Sequence, residues 1–220
     1  MTRLAQCLIA ALVAVLGWLL PSLFFDDAYI TFRYAAHLAS GEGFGYNPPE
    51  RLLGVTTPLF TFLLAGVARL GLDIESAALL LGVASHALLS LAVFAVVRQL
   101  LSARTDQPPR AALAATTAGG LITALHPHLA FTAMGGMETG LFCALILLTL
   151  SASDAGRGMR AGLWLGLALL TRPDAVLLVP PTAWLLWRRG DGASRWREIR
   201  RAAATACILF APWALLATAW

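Results

Sequence analysis

Charge is scarce in this sequence and one cation is missing altogether: 13% of the 220 residues are charged and none is lysine. A water-soluble domain carries about 25% charged residues, so water alone is excluded as the solvent. The net charge of +4 rests entirely on sixteen arginines. They fall between apolar runs rather than on one basic face, which removes nucleic acid as a partner. Cysteine is equally thin. Cys7, Cys143 and Cys207 stand far apart inside apolar runs with no CxxC spacing, so neither a disulfide framework nor a zinc site follows, and they read as small packing residues. What is abundant is apolar surface, with 59% hydrophobic residues and a mean hydropathy of +0.74.

About 20 apolar residues span the hydrocarbon core as a helix. Uncharged runs at residues 4–25, 76–97, 111–137 and 202–220 meet or approach that length, and shorter runs lie at 139–153, 161–171 and 175–187. The first run is longer than a signal-peptide core and has no small-residue cleavage pattern before Asp26, so it is expected to remain as an anchor. The fold class expected is all-α, a polytopic transmembrane bundle forming one domain over 1–220. Its parts are a first span at 4–25, an extracytoplasmic loop at 26–75 and further spans at 76–220.

The positive-inside rule orients these runs. It places Arg3, the group Arg98/Arg104/Arg110, the pair Arg157/Arg160 and the stretch from Arg188 to Arg201 in the cytoplasm, twelve arginines against four outside. Residues 58–68 then cannot cross and read as an interfacial helix. Arg160 and Arg188 share a side, so the chain between them goes out and returns, turning at Thr171-Arg172-Pro173-Asp174. Eleven helical residues cover only about 17 Å, which puts that turn below the outer surface in a protein-lined or watery cavity. Eight of the twelve acids fall outside, an excess the orientation rule does not require.

The outer loop opens DDAYITFRYAAHLASGEGFGYNPPE, a helical pattern stopped by glycines at 41, 43 and 45. At 3.6 residues per turn, Asp26, Arg33 and His37 fall within about 40 degrees of one stripe, with Tyr29 beside it. Asp26 and Asp27 as helix-capping carboxylates, with Arg33 and His37 facing solvent, is the plain alternative. Paired carboxylates in register with an arginine also suit a general base, or a divalent cation, beside a phosphate-holding group. No cofactor is required by the sequence, and a divalent cation on Asp26 and Asp27 stays open. A second constellation is MGGMETG with Glu138, preceded by His126-Pro127-His128, whose spacing is a poor helical chelate. Arg172 and Asp174 form a third: an ion pair in a turn, or charged residues marking a site at membrane depth.

Three stretches, DDAYITFRYAAHLASGEGFGYNPPERLLGVTTPLF, GGMETGLF and LLTRPDAVLLV, resemble, in this order, the GT-C-type membrane glycosyltransferases that use polyprenyl-phosphate sugars. The resemblance covers essentially the whole chain and is nearest to the branch of mycobacterial arabinofuranosyltransferases. It implies juxtamembrane helices in the first extracytoplasmic loop and Asp26 and Asp27 as catalytic candidates. Tyr29, Arg33, His37, Glu138, Arg172 and Asp174 would line the cavity where donor phosphate, sugar and acceptor meet. Two departures stand out: Pro48-Pro49 replaces the usual Pro-Gly, and Pro58 follows Thr57 where asparagine is common. Family members continue through further spans, so the chain looks like the N-terminal portion of such an enzyme.

The function expected is transfer of a sugar from a polyprenyl-phosphate donor to a glycan, lipid or protein acceptor in the cell envelope, on the outer face of the cytoplasmic membrane. Membrane lipid is its other partner. Two rivals are a transporter or flippase built on the broken Arg172/Asp174 hairpin, which no evident inverted repeat supports, and an inactive truncated relative.

Overall fold

The computed structural model describes residues 2–47, 52–102 and 108–218. Pro48-Pro49, Glu50, Arg51, Arg104 and Asp106, which entered the sequence argument, lie outside the described residues. The protein is an all-α membrane bundle, 83% helical, with no strand among the described residues. Its helices are α1 Thr2–Leu19, α2 Asp26–Ser40, α3 Pro58–Arg69, α4 Ile74–Ser102, α5 Pro109–Ala124, α6 Pro127–Met134, α7 Thr139–Asp154, α8 Gly158–Thr171, α9 Val179–Arg189 and α10 Gly192–Thr218, with a 3-10 turn at Pro173–Leu178. By length and composition α1, α4 and α10 are candidate spans, and the bent pair α6 with α7 makes a fourth.

Prolines redraw two of the expected spans. The first run is helical only to Leu19, and residues 21–25 carry no regular structure before α2 begins. Pro21 lacks the N–H that would continue the ladder. Residues 111–137 are not one span but α5 and α6, broken where His126 is extended (φ −68°, ψ 117°) ahead of Pro127. A residue before proline is pushed out of the helical region in this way. Helices α6 and α7 then turn 119° from one another across residues 135–138. The last helix begins ten residues before residue 202, so it carries Arg195 to Arg201 within its first turns.

The chain forms two compact units. Unit 1 comprises Met1–Tyr29 and Glu75–Ala144; unit 2 comprises Ile30–Ile74 and Leu145–Trp220. In unit 1, Ile9 and Val13 of α1, Phe94 of α4 and Ala124 of α5 make the core. Close approach there depends on missing side chains: a Cβ at Gly82 would stand 1.9 Å from the Ala133 carbonyl oxygen. His86, buried in α4, has Nε2 3.1 Å from the Thr123 carbonyl in the last turn of α5.

In unit 2, α8 and α10 run parallel in close contact. Gly158, Gly162 and Gly166 on one face of α8 meet Glu198, Ala202 and Ala206 of α10, and a Cβ at the first two would lie 2.1 and 2.3 Å from backbone oxygens. This is the small-residue packing by which apolar helices approach without a hydrophobic drive. Glu198 also accepts the Gly158 N–H at 3.0 Å, satisfying a helix-start donor. None of the three cysteines forms a disulfide. Cys7 and Cys207 lie on exposed helix faces rather than in packing, since in a membrane bundle an apolar residue has a lipid-facing surface to occupy.

Candidate functional site

In unit 1 the irregular segment that ends α1 delivers Asp26 and Asp27 to the first turn of α2. Phe25 fixes their position. Its N–H donates to the Gly135 carbonyl at 3.0 Å, and its ring meets Phe131 edge-on at 5.3 Å. A Cβ at Gly135 would stand 2.2 Å from that ring, so glycine is required there. Gly136, at φ +75°, completes the turn. The DD dipeptide and the GGMETG motif are thus brought together. Both aspartates are exposed, and neither pairs with a cation among the described residues.

Tyr29, one turn along α2, donates from its hydroxyl to Glu75 Oε1 at 3.4 Å. Its phenol is raised above its ordinary value by desolvation first, then by the Glu75 charge and hydrogen bond and by Asp26. Glu138 is 4% exposed, and its carbonyl accepts the Phe142 N–H at the start of α7. An apolar cleft of about 500 Å³ lies in the same unit. The end of α1 and residues 20–23 form one wall, through Leu20, Pro21 and Leu23; α6 forms the other, through Ala130, Phe131 and Met134. Leu23 stands three residues before Asp26.

In unit 2 the polar stripe of α2 is turned to holding its own loop. Arg33 donates from Nε to the Tyr46 carbonyl at 2.7 Å and from Nη2 to Asn47 Oδ1 at 2.8 Å, with its guanidinium 4.8 Å over the Tyr46 ring. His37 places Nδ1 2.8 Å from the Gly45 carbonyl and Nε2 3.9 Å from Glu42. These contacts draw the glycine segment back along the helix. Tyr34 does the same from the buried side: its hydroxyl donates to the Leu52 carbonyl and accepts the Gly54 N–H. Arg69 of α3 caps α2 by donating to the Ala39 and Leu38 carbonyls.

Arg172, the extended residue that ends α8, pairs with Asp174 at 3.5 Å. Because α8 and α10 run parallel, with the first turn of α8 beside the second turn of α10, this pair lies at the opposite end of unit 2 from Gly158 and Glu198. At that end Phe44 and Phe62 pack on Trp213 of α10 at 5.4 and 6.2 Å. Arg172, Asp174 and the α2–α3 loop with Arg33 and His37 therefore share one end of unit 2, about 20 Å from the first turn of α8 at 1.5 Å per residue.

Among the described residues no group of three His, Cys, Asp or Glu side chains converges as a metal cage. Asp26 and Asp27 offer two adjacent carboxylates, and a hard cation there would complete its shell with phosphate oxygens. His126 and His128 are both exposed. Tyr34, Arg69, Glu75 and His86 make contacts that no motif spacing singles out. Only the last two carry a signal in the sequence, as an acid in a juxtamembrane position and a histidine inside an apolar run.

The family model described as dolichyl-phosphate-mannose-protein mannosyltransferase matches residues 55–216, about three quarters of the chain. No curated protein and no solved structure matches it.

Proposed function

The chain belongs to the dolichyl-phosphate-mannose-protein mannosyltransferase family, a GT-C type, and on that premise we propose that it transfers a sugar from a polyprenyl-phosphate donor to an acceptor hydroxyl at Asp26 and Asp27. One observation carries the reading: two exposed carboxylates, with no cationic partner among the described residues, stand three residues beyond an apolar cleft of about 500 Å³. A prenyl chain in that cleft would bring its phosphate to the head of α2.

In the step proposed, the acceptor oxygen forms a bond to the anomeric carbon and gives its proton to Asp26 or Asp27. The bond from that carbon to the phosphate oxygen breaks, and its electron pair leaves on the phosphate. Oxocarbenium character builds between these events, where a nearby carboxylate also stabilises charge. The motif resemblance offers Arg172 as a phosphate-holding cation, a role that a planar guanidinium suits. Arg33 and His37 act as positioning residues, since the groups they hold are the loop's own. Tyr29 and Glu138 border the reacting centre. A divalent cation on the two aspartates would supply charge neutralisation to the same phosphate.

The active site is assigned to the outer face of the cytoplasmic membrane, because the arginine-rich connections mark the other side. The family description names mannose and the motif resemblance names arabinofuranose, so both donors belong in the test. Membranes containing the chain are incubated with labelled polyprenyl-phosphate mannose and arabinofuranose and with glycan, lipid and protein acceptors. Asp26→Asn/Asp27→Asn is expected to lower transfer by about 10²–10⁴-fold while donor binding persists. Transfer that survives the double substitution removes the reading. Absence of donor binding, with solute flux that depends on Arg172 and Asp174, would establish a carrier instead.

A further inference from the structure

At the end of unit 2 where α8 and α10 begin, eight arginines stand against three acids, Asp154, Asp191 and Glu198. Asp154 is shared by Arg188 and Arg189 at 2.9 Å, and Glu198 takes Arg201 at 2.7 Å, which leaves this end cationic. Two of the arginines are held in an aromatic frame. Helix α9 carries Trp184, Trp187 and Arg188 at spacings that put them on one face. The Arg188 guanidinium lies 4.9 Å over Trp184, that of Arg195 lies 4.5 Å over Trp187, and Trp196 meets Trp187 edge-on at 5.1 Å.

The elbow between α9 and α10 is fixed. A Cβ at Gly190 would stand 2.6 Å from Arg195 Cα. Arg195 Nη2 donates to the Gly190 carbonyl at 3.2 Å, and Ser194 closes the turn on Asp191 at 2.7 Å. Arg195 Nε is buried and makes no hydrogen bond. Trp184 and Trp196 nevertheless remain 58% and 55% exposed. The patch sits where apolar helix gives way to charge, after Leu186 in α9 and before Ala202 in α10, which is the depth that indole rings favour at a membrane–water boundary.

We propose that this elbow binds the phosphate headgroup of an anionic phospholipid. Guanidinium planes stacked on indoles are oriented in advance and match phosphate bidentately. The surplus of arginine selects an anionic lipid over a zwitterionic one, and the exposed indoles rest against its glycerol and upper acyl chains. The inference is independent of the sugar-transfer reading and draws on none of its residues.

The full chain is purified in detergent, supplied with phosphatidylglycerol or phosphatidylcholine, and its retained lipid counted by native mass spectrometry. The wild type is expected to retain phosphatidylglycerol preferentially, and Arg188→Gln/Arg195→Gln to weaken that retention roughly tenfold or more. Arg157→Gln/Arg160→Gln removes the same charge from the same end and is expected to have much the smaller effect. Circular dichroism checks that each variant folds. Arg188→Lys/Arg195→Lys, which keeps charge and loses the planar fork, is expected to fall between wild type and the glutamine pair. Equal retention of both lipids by the wild type, equal loss in the two glutamine variants, or full retention by the lysine variant would each overturn the proposal.

Discussion

Tyr29 stands between two carboxylates, with Glu75 accepting its hydroxyl hydrogen and Asp26 one turn behind it. Both anions oppose a phenolate, and local desolvation opposes it more strongly than either. A raised folded-state value means that the contribution of Tyr29 to stability is complete below the ordinary phenol value of about 10 and is lost as pH climbs through the folded value. Glu75→Gln is expected to lower the Tyr29 value while leaving it above ordinary, because desolvation and Asp26 remain. Ring resonances of labelled tyrosine, assigned with Tyr29→Phe, measure this in an NMR titration; no change in Glu75→Gln would show the contact to be idle. Individual residues were legible in the sequence only where chemistry announces itself. The paired aspartates stand out in that way as candidates. Tyr34, by contrast, is a buried tyrosine whose importance lies in accepting one backbone group and donating to another across residues 52–54, and no spacing in the chain encodes a partner eighteen residues away.

Helix boundaries followed from prolines, and helix contacts followed from glycines that hydropathy treats as neutral. Residues 111–137 look continuous because neither His126 nor Pro127 is charged, yet the backbone breaks there. The parallel pairing of α8 with α10 was likewise invisible to a charge count, since it depends on Gly158, Gly162 and Gly166 recurring every fourth residue. Gly162→Ala should therefore cost about 1–3 kcal/mol through overpacking, as its Cβ would lie 2.3 Å from the Ala202 oxygen. Gly66→Ala is the matched contrast. That position lies inside α3 with nothing within 4 Å of the added carbon, so relief of glycine's entropy should stabilise by about 0.5–1 kcal/mol. Thermal unfolding in one detergent measures both, and a loss at both positions would mean that helix packing is not what distinguishes them.

For the molecule as a whole, the expected direction of each crossing rests on arginine counts, and unit 2 keeps its arginine-rich end apart from its outer-loop end. At the arginine-rich end the acids find their partners within the same group of residues: Asp154 pairs with Arg188 and Arg189, and Glu198 with Arg197 and Arg201. The α2–α3 loop packs at the far end of α10, where Trp213 meets Phe44 and Phe62. From Arg201 to Trp213 the helix rises about 18 Å at 1.5 Å per residue, so loop and arginines lie on different levels of one unit. Helix α3, at 12 residues, also covers about 18 Å and falls short of the ~30 Å hydrocarbon core. With Cys7, Cys143 and Cys207 replaced by alanine, Glu42→Cys is expected to react with an impermeant maleimide added outside intact cells. Ala193→Cys is expected to react only after permeabilisation. Both positions are exposed, so failure to label reports the membrane and not burial. Labelling of both from outside would place loop and arginines on one side, and the outward site at Asp26 and Asp27 would fall with the topology.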